Sequence, residues 1–248
     1  MSAAPAPSDI ARTYWPSKSI TRLTRQAVRD FSLIAPGDRV AVGLSGGKDS
    51  LMLLQALKQL QRGADFDFEL FPVHLDQHQP GFDRATFERT LQTLGSECEV
   101  VSEDTHSVVQ QQLQPGQIPC SLCSRMRRGI LNAHCVKQGY TKLAIGHHLD
   151  DALETFLLNL FYGRRLEPLK ALTPSAQGVC TIRPLILVEE RKIASWVATW
   201  DVDAVACPVC DTYPKSKRRD LKQLIESFGA LHPDLHASVR QALYTHHP

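Results

Sequence analysis

Apolar and polar positions along this chain follow two alternating rhythms. Short, mostly apolar runs at 39–44, 68–75, 98–102, 142–146 and 180–186 read as strands. Stretches of helix formers at 49–62, 83–94, 122–138, 149–162 and 189–200 read as the helices that follow them. Strands separated by helices in this order predict an α/β fold, a parallel sheet with helices on both faces. Ligands of such sheets bind beyond the carboxyl ends of the strands. Upstream, 17–31 reads as a basic amphipathic helix that ends before Pro36-Gly37, and 1–16 as a flexible leader. Residues 163–179 read as a long loop. The C-terminal stretch holds a basic helix near 216–228 and a polar tail. The expected organisation is therefore a leader (1–16), a nucleotide-binding domain with its preceding helix (17–186) and a C-terminal helical segment (187–248). No internal repeat is visible.

The first strand and helix enclose Ser45-Gly46-Gly47-Lys48-Asp49-Ser50. Gly46 and Gly47 allow positive φ and a close approach of backbone to ligand. The free amides of the first helical turn, at the positive end of the helix dipole, then face an anion. Lys48 adds a mobile cation, and Ser45 and Ser50 add hydroxyl donors, so the segment reads as a phosphate cradle. It is not a Walker loop: only three residues separate Gly43 from Gly47, and Asp49 stands where Ser or Thr belongs. A surface turn of similar composition is the simpler alternative, and the flanking strand and helix argue against it.

Two further strand ends add to this site. Asp76 closes the second strand, where an acid can meet a nucleotide's ribose or adenine, or simply cap the next turn. Gly146-His147-His148-Leu149-Asp150-Asp151 carries two carboxylates into the first turn of a helix. There they cap orphan amides or hold Mg²⁺ against ATP phosphates, since Mg²⁺ favours one or two carboxylates plus phosphate oxygens. Asp49 can share that role.

The cysteines introduce a second chemistry. Cys120-Ser-Leu-Cys123 and Cys207-Pro-Val-Cys210 are two C-x₂-C pairs, a strong metal signal, too far apart to form a local zinc ribbon. Thiolates suit zinc and iron–sulfur clusters alike; spacing alone favours structural zinc. Cys98, Cys135 and Cys180 lie in apolar settings and read as buried small residues.

Composition narrows the setting. The N-terminal residues lack the pattern of a signal peptide, and no apolar run reaches membrane-spanning length. The cytoplasm is the expected compartment, where these cysteines are not a disulfide framework. Net charge is only +2 over 248 residues, but the basic residues cluster. Arg12, Lys18, Arg22, Arg25 and Arg29 form one group; Arg125, Arg127 and Arg128 a second; Lys215, Lys217, Arg218, Arg219 and Lys222 a third. Such patches suit a polyanion such as RNA, although solvated helix faces produce the same runs.

These motifs together resemble one family. The hexapeptide at 45–50 resembles the PP-loop of the ATP pyrophosphatases, which cut ATP between its α and β phosphates. Leu75-Asp76-Gln77 with Gln79-Pro-Gly-Phe82, the box Cys120-Ser-Leu-Cys-Ser-Arg-Met-Arg-Arg-Gly-Ile-Leu131, Gly146-His-His-Leu-Asp-Asp151 and Ile182-Arg-Pro-Leu185 continue the match in order. They resemble the TtcA-like tRNA 2-thiocytidine synthetases. The resemblance implies ATP and Mg²⁺, adenylation of the C2 oxygen of cytidine 32 in tRNA, and its replacement by sulfur. It implies a 4Fe-4S cluster held by three cysteines, assigned to Cys120, Cys123 and Cys207, with Cys210 the weaker choice for the third. It overturns the preference for zinc. Lys48, Asp49, Asp150 and Asp151 become the expected catalytic residues; Ser45, Gly46, Gly47, Lys48, Asp49, Ser50, Asp76 and Gly146 the nucleotide-binding ones. A sulfur donor such as a cysteine desulfurase and a homodimer are the implied partners. The chain departs from the family at Arg164–Lys170 and around the second cysteine pair, and it lacks much of the usual C-terminal extension. Those departures bear on RNA choice, where lysidine or 2-thiouridine synthesis and a noncatalytic zinc-containing RNA-binding protein are the alternatives.

Overall fold

A computed structural model describes residues 14–113, 119–176, 178–205 and 217–245, with only the backbone of Cys120 and Ser121. Strand β1 (Arg39–Leu44) shows how the sheet is sandwiched. Its Val40, Val42 and Leu44 join one buried cluster and its Ala41 another, as alternation along a strand requires. The first cluster includes Leu51, Leu54 and Leu57 of α2 (Lys48–Arg62), Leu23 and Ala27 of α1 (Lys18–Asp30), and Ile193 of α7 (Glu190–Val197). On the opposite face lie Leu131 and Cys135 of α5 (Cys120–Gln138), packed with Val73, Leu75 and Leu143.

The other strands are β2 (Glu69–Asp76), β3 (Glu99–Ser102), β4 (Lys142–Ala144), β5 (Leu172–Thr173) and β6 (Cys180–Ile182). Their order is β3-β2-β1-β4-β6-β5, and every pairing is parallel except β5 with β6. From β1 the chain steps outward to β2 and β3, then returns to place β4 on the other side of β1. Beyond the carboxyl ends of β1 and β4 such a reversal opens a crevice. The predicted α/β fold is the observed one.

The remaining helices are α3 (Arg84–Thr93), α4 (Thr105–Gln112), α6 (Leu149–Phe161), α8 (Lys217–Leu231) and α9 (Leu235–Tyr244). Three elements depart from the sequence reading. A short antiparallel strand, β5, interrupts the expected 163–179 loop, helix α4 follows β3, and α9 replaces most of the polar tail. Tyr14 and Trp15, read as leader, are packed: Tyr14 sits edge-on to Trp200, and the carbonyl of Trp15 accepts from Trp196 Nε1 at 2.8 Å. Among the described residues no helix is long and apolar enough to cross a membrane.

Candidate active site

Ser45–Gly47 turns from β1 into α2 at the crevice. Gly46 has φ +85°, and a Cβ there would come within 3.2 Å of both Phe87 and Val205. The amide of Val205 donates to the Gly46 carbonyl at 2.9 Å, so the chain after α7 lies against the loop. Ser50 Oγ ties the turn together from inside: it donates to the Gly47 carbonyl at 2.8 Å and accepts from the Ser45 amide at 3.2 Å. Gly47 is the N-cap of α2 and offers no side-chain acceptor. The first-turn amides of that helix therefore have no capping side chain, the arrangement that suits an anion.

On the facing edge, Gly146 follows β4 and abuts the start of α2. A Cβ on Gly146 would lie 3.0 Å from the carbonyl carbon and oxygen of Asp49 and 3.2 Å from the Ser50 amide. The two predicted motifs thus meet backbone to backbone. His148 caps α6: its Nδ1 accepts from the Asp151 amide at 3.4 Å, and the Asp151 carboxylate accepts from the His148 amide at 3.0 Å. The same imidazole lies between two predicted acids, its Nε2 being 3.8 Å from Asp49 Oδ1 and 3.4 Å from Asp151 Oδ2.

Lys48 lies at the centre of the charge pattern. Its Nζ is 2.9 Å from Asp49 Oδ1 and 2.9 Å from Glu190 Oε1. Burial works against the ammonium, but Asp49 and Glu190 outweigh it and raise the Lys48 pKa. The other oxygen of Glu190 holds Lys222 of α8 at 2.8 Å. Asp150 serves α9 and α7 instead: Oδ1 is 2.7 Å from His236 Nε2, and Oδ2 accepts from the Glu190 amide at 2.7 Å. Burial opposes its charge, and the His236 and Glu190 contacts still leave its pKa lowered. Asp151 and Glu154 both face Arg218, at 3.9 and 3.5 Å. Burial, reinforced by Asp151, pushes the Glu154 carboxyl up to about 7 against the pull of Arg218.

His147 completes the floor. Arg183, buried at 3% exposure, donates through Nε to His147 Nδ1 at 3.1 Å and through Nη1 to the carbonyl of Lys170 at 2.7 Å. Burial drives the His147 pKa down to about 4, Asp151 opposes this, and Arg183, Arg218 and Arg127 add to the depression. At neutral pH this imidazole is uncharged and accepts from Arg183.

Of the predicted residues, Ser45, Gly46, Gly47, Lys48, Asp49, Ser50, Gly146, Asp150 and Asp151 come together at this crevice. Asp76 ends β2 and fills the capping role: Oδ1 accepts from the His78 amide at 3.0 Å, and Oδ2 lies 3.6 Å from Arg84. Cys123, in the first turns of α5, donates to Gln77 Oε1 at 3.3 Å, which brings the cysteine box to the carboxyl end of β2. Cys207 and Cys210 lie outside the described residues. Burial raises the thiol pKa of Cys98 to about 11 and of Cys135 to about 12, in keeping with inert packing roles. Glu190 and His236 stand in no motif and reach the site only through the fold; Arg183 lies inside Ile182-Arg-Pro-Leu185 and Lys222 inside a basic cluster, yet neither had been given a place in the nucleotide site.

The described residues of the third basic cluster stay exposed and also reach inward, and Lys215 lies outside the described residues. Arg218 and Lys222 turn toward the site acids, and Lys217 Nζ lies 4.2 Å above the Tyr162 ring. The first cluster keeps its exposure: Lys18, Arg22, Arg25 and Arg29 line one groove of α1, closed by Gln59 of α2.

A glycine-built anion cradle at the switch point of a parallel sheet, faced by carboxylates from the neighbouring strand, defines a PP-loop nucleotide-binding protein. Residues 17–206 match the family model described as a PP-loop domain. By sequence the chain belongs to the tRNA-cytidine(32) 2-sulfurtransferase family. It is 43% identical over 218 residues to the tRNA-cytidine(32) 2-sulfurtransferase of Aliivibrio salmonicida, covering 87% of this chain and 71% of that relative. It is 42% identical over 215 residues to that of Deinococcus radiodurans, covering 86% and 72%. Its fold is similar to that of the U34-tRNA thiolase NcsA from Methanococcus maripaludis, solved with its 4Fe-4S cluster. That likeness has a TM-score of 0.70 and 23% identity, over 92% of this chain and 80% of the other.

Proposed function

We propose that this protein uses ATP to convert C2 of cytidine 32 in tRNA from carbonyl to thiocarbonyl. The observation that carries the reading is the placement of Cys123 against Gln77, at the end of the strand that pairs with β1. One edge of the sheet thereby holds both a cysteine box and an anion cradle, and the sequence relatives named above are sulfurtransferases.

The chemistry follows from that arrangement. The ATP phosphates lie on the α2 amides, with Lys48 as cation. Asp49 and Asp151 would hold Mg²⁺, which would supply positive charge against the ATP phosphates. Asp150 is an anchor, since its oxygens hold His236 of α9 and the Glu190 amide of α7. The C2 oxygen of cytidine attacks the α-phosphorus; the bond from that phosphorus to the bridging oxygen breaks, and pyrophosphate leaves with the electron pair. Sulfur at the sulfide level then adds to C2, and AMP leaves with the pair of the C2–O bond. The thiol of Cys123 is turned toward polar carboxamides rather than sealed in a core, a setting suited to an iron ligand. Cys120 and Cys207 would complete the set for a 4Fe-4S cluster, which when bound supplies an iron without a protein ligand to hold sulfur. A cysteine desulfurase as sulfur source, a homodimer and a cytoplasmic location belong to the same reading.

The test is mass spectrometry of nucleosides from tRNA incubated with the iron-loaded protein, ATP and sulfide. 2-Thiocytidine is the expected product; lysidine or 2-thiouridine in its place, or no change together with no pyrophosphate release, would reject the assignment.

A further inference from the structure

The PP-loop match ends at residue 206, yet the charge network of the cradle continues into α8 and α9. Glu190 is shared: Oε1 holds Lys48 at 2.9 Å and Oε2 holds Lys222 at 2.8 Å. The two ammonium groups are close enough for the charge of Lys48 to act against that of Lys222. Two cations gathered at one carboxylate beside a phosphate cradle form a site for more negative charge than a single lysine serves. An ammonium has three N–H donors. Among the described residues Lys222 uses one, on Glu190, whereas Lys48 divides its own between Asp49 and Glu190.

We propose that Lys222 is a phosphate-binding residue of this ATP site, taking the β and γ phosphates with Lys48 and steadying pyrophosphate as it departs. This rests on the ATP chemistry proposed above. In the adenylation step charge builds on the oxygen bridging the α and β phosphorus atoms as its bond to the α-phosphorus breaks. A second preorganised cation acts where that charge develops. Glu190 is then a positioning residue that keeps the two lysines in register. Asp150 supports it from behind, accepting the Glu190 amide and meeting His236 of α9.

The experiment is calorimetric titration of the full-length protein with ATP, inorganic pyrophosphate and AMP. Wild type, Lys222→Ala and Lys222→Arg are compared, with thermal unfolding as a folding control. Lys222→Ala is expected to weaken ATP and pyrophosphate at least tenfold and leave AMP within twofold, because AMP carries neither β nor γ phosphate. Lys222→Arg is expected to recover most of the loss. Equal weakening of all three ligands would mean a structural role and overturn the proposal. So would unchanged pyrophosphate binding in Lys222→Ala while wild type binds it, a result that leaves the ATP reading intact. Wild type that binds neither ATP nor pyrophosphate would reject both. Should Lys222→Ala unfold early, Lys222→Gln, which keeps the length of the side chain, carries the same comparison.

Discussion

Gly146 shows how a missing side chain can set the distance between two elements. Its missing side chain lets the end of β4 pass within backbone contact of Asp49 and Ser50. A methyl group at 3.0 Å from a carbonyl cannot be relieved by turning a side chain; the β4 loop or the first turn of α2 must move. Gly146→Ala is therefore expected to cost about 1–3 kcal/mol in stability, as overpacking does, and to weaken ATP more than tenfold by shifting the cradle amides. Gly129, in mid-α5, is exposed, and among the described residues beyond its own helix backbone no atom lies within 4 Å of the point a methyl group would occupy. Gly129→Ala is expected to be neutral or to stabilise by roughly 0.5–1 kcal/mol through helix propensity. Urea unfolding and ATP titration of the two variants check the contrast, and equal behaviour would remove Gly146 from the site. The motif itself was legible because Gly, Ser and Asp in this order answer a local backbone demand. Glu190 was not: next to Glu189 at a helix start it looks like a first-turn acid, and only the fold sets it opposite Lys48.

Among the elements, long periodic segments were readable and short or mixed ones were not. The run 48–62 contains no breaker and buries an almost continuous series from Ser50 to Leu57, so its helix was plain. Strand β5 has two residues and exists because Leu172 and Thr173 pair with Ile182 and Thr181, a tertiary event. Helix α9 buries only Leu243 and is tied down by His236 on Asp150 and by Arg240 on the Leu187 carbonyl. Helix α1 is the element whose exposed face has work left to do. Lys18, Arg22, Arg25 and Arg29 repeat at three- and four-residue spacing, which puts them in one row. Among the described residues only Arg29 of the four has an acid partner, the exposed Asp30. The row lies beside Gln59, far along α2 from the cradle, about 16 Å at the helix rise, a span that tRNA covers easily. Arg22→Glu with Arg25→Glu is expected to weaken tRNA binding. The same pair should flatten its salt dependence by about 0.7–0.9 in logarithmic slope for each phosphate no longer neutralised. ATP affinity should not change. Filter binding at several salt concentrations reads both, and an unchanged slope would make the row an ordinary solvated face.

The whole molecule joins parts of the chain that share no local pattern. Lys48 meets Glu190 across 142 residues and Asp150 meets His236 across 86, so the first and last thirds of the chain close one site. The same long reach is demanded of the cysteines, since the second pair must come to α5 for three thiolates to share a cluster. The structure places Cys123 at the sheet edge that also holds the cradle, with its carboxamide neighbours Gln77 and Gln79. A cluster on Cys123 would leave cluster loss and ATP binding separable, because the cradle residues of α2, β4 and α7 include no thiolate. Protein purified without oxygen is expected to be brown, with about four irons and four sulfides per chain. Cys123→Ala should be colourless and unable to make 2-thiocytidine, yet bind ATP within about twofold of wild type. The distal pair separates the two metal chemistries, because a zinc site on four thiolates needs Cys210 as much as Cys207, whereas a cluster on three needs only one of them. If Cys210→Ala retains iron, sulfide and thiolation while Cys207→Ala loses all three, the assignment of Cys120, Cys123 and Cys207 stands. Colourless protein with about one zinc, lost equally in either variant, would replace the cluster with a structural site and leave the cradle as the only part of the mechanism still standing.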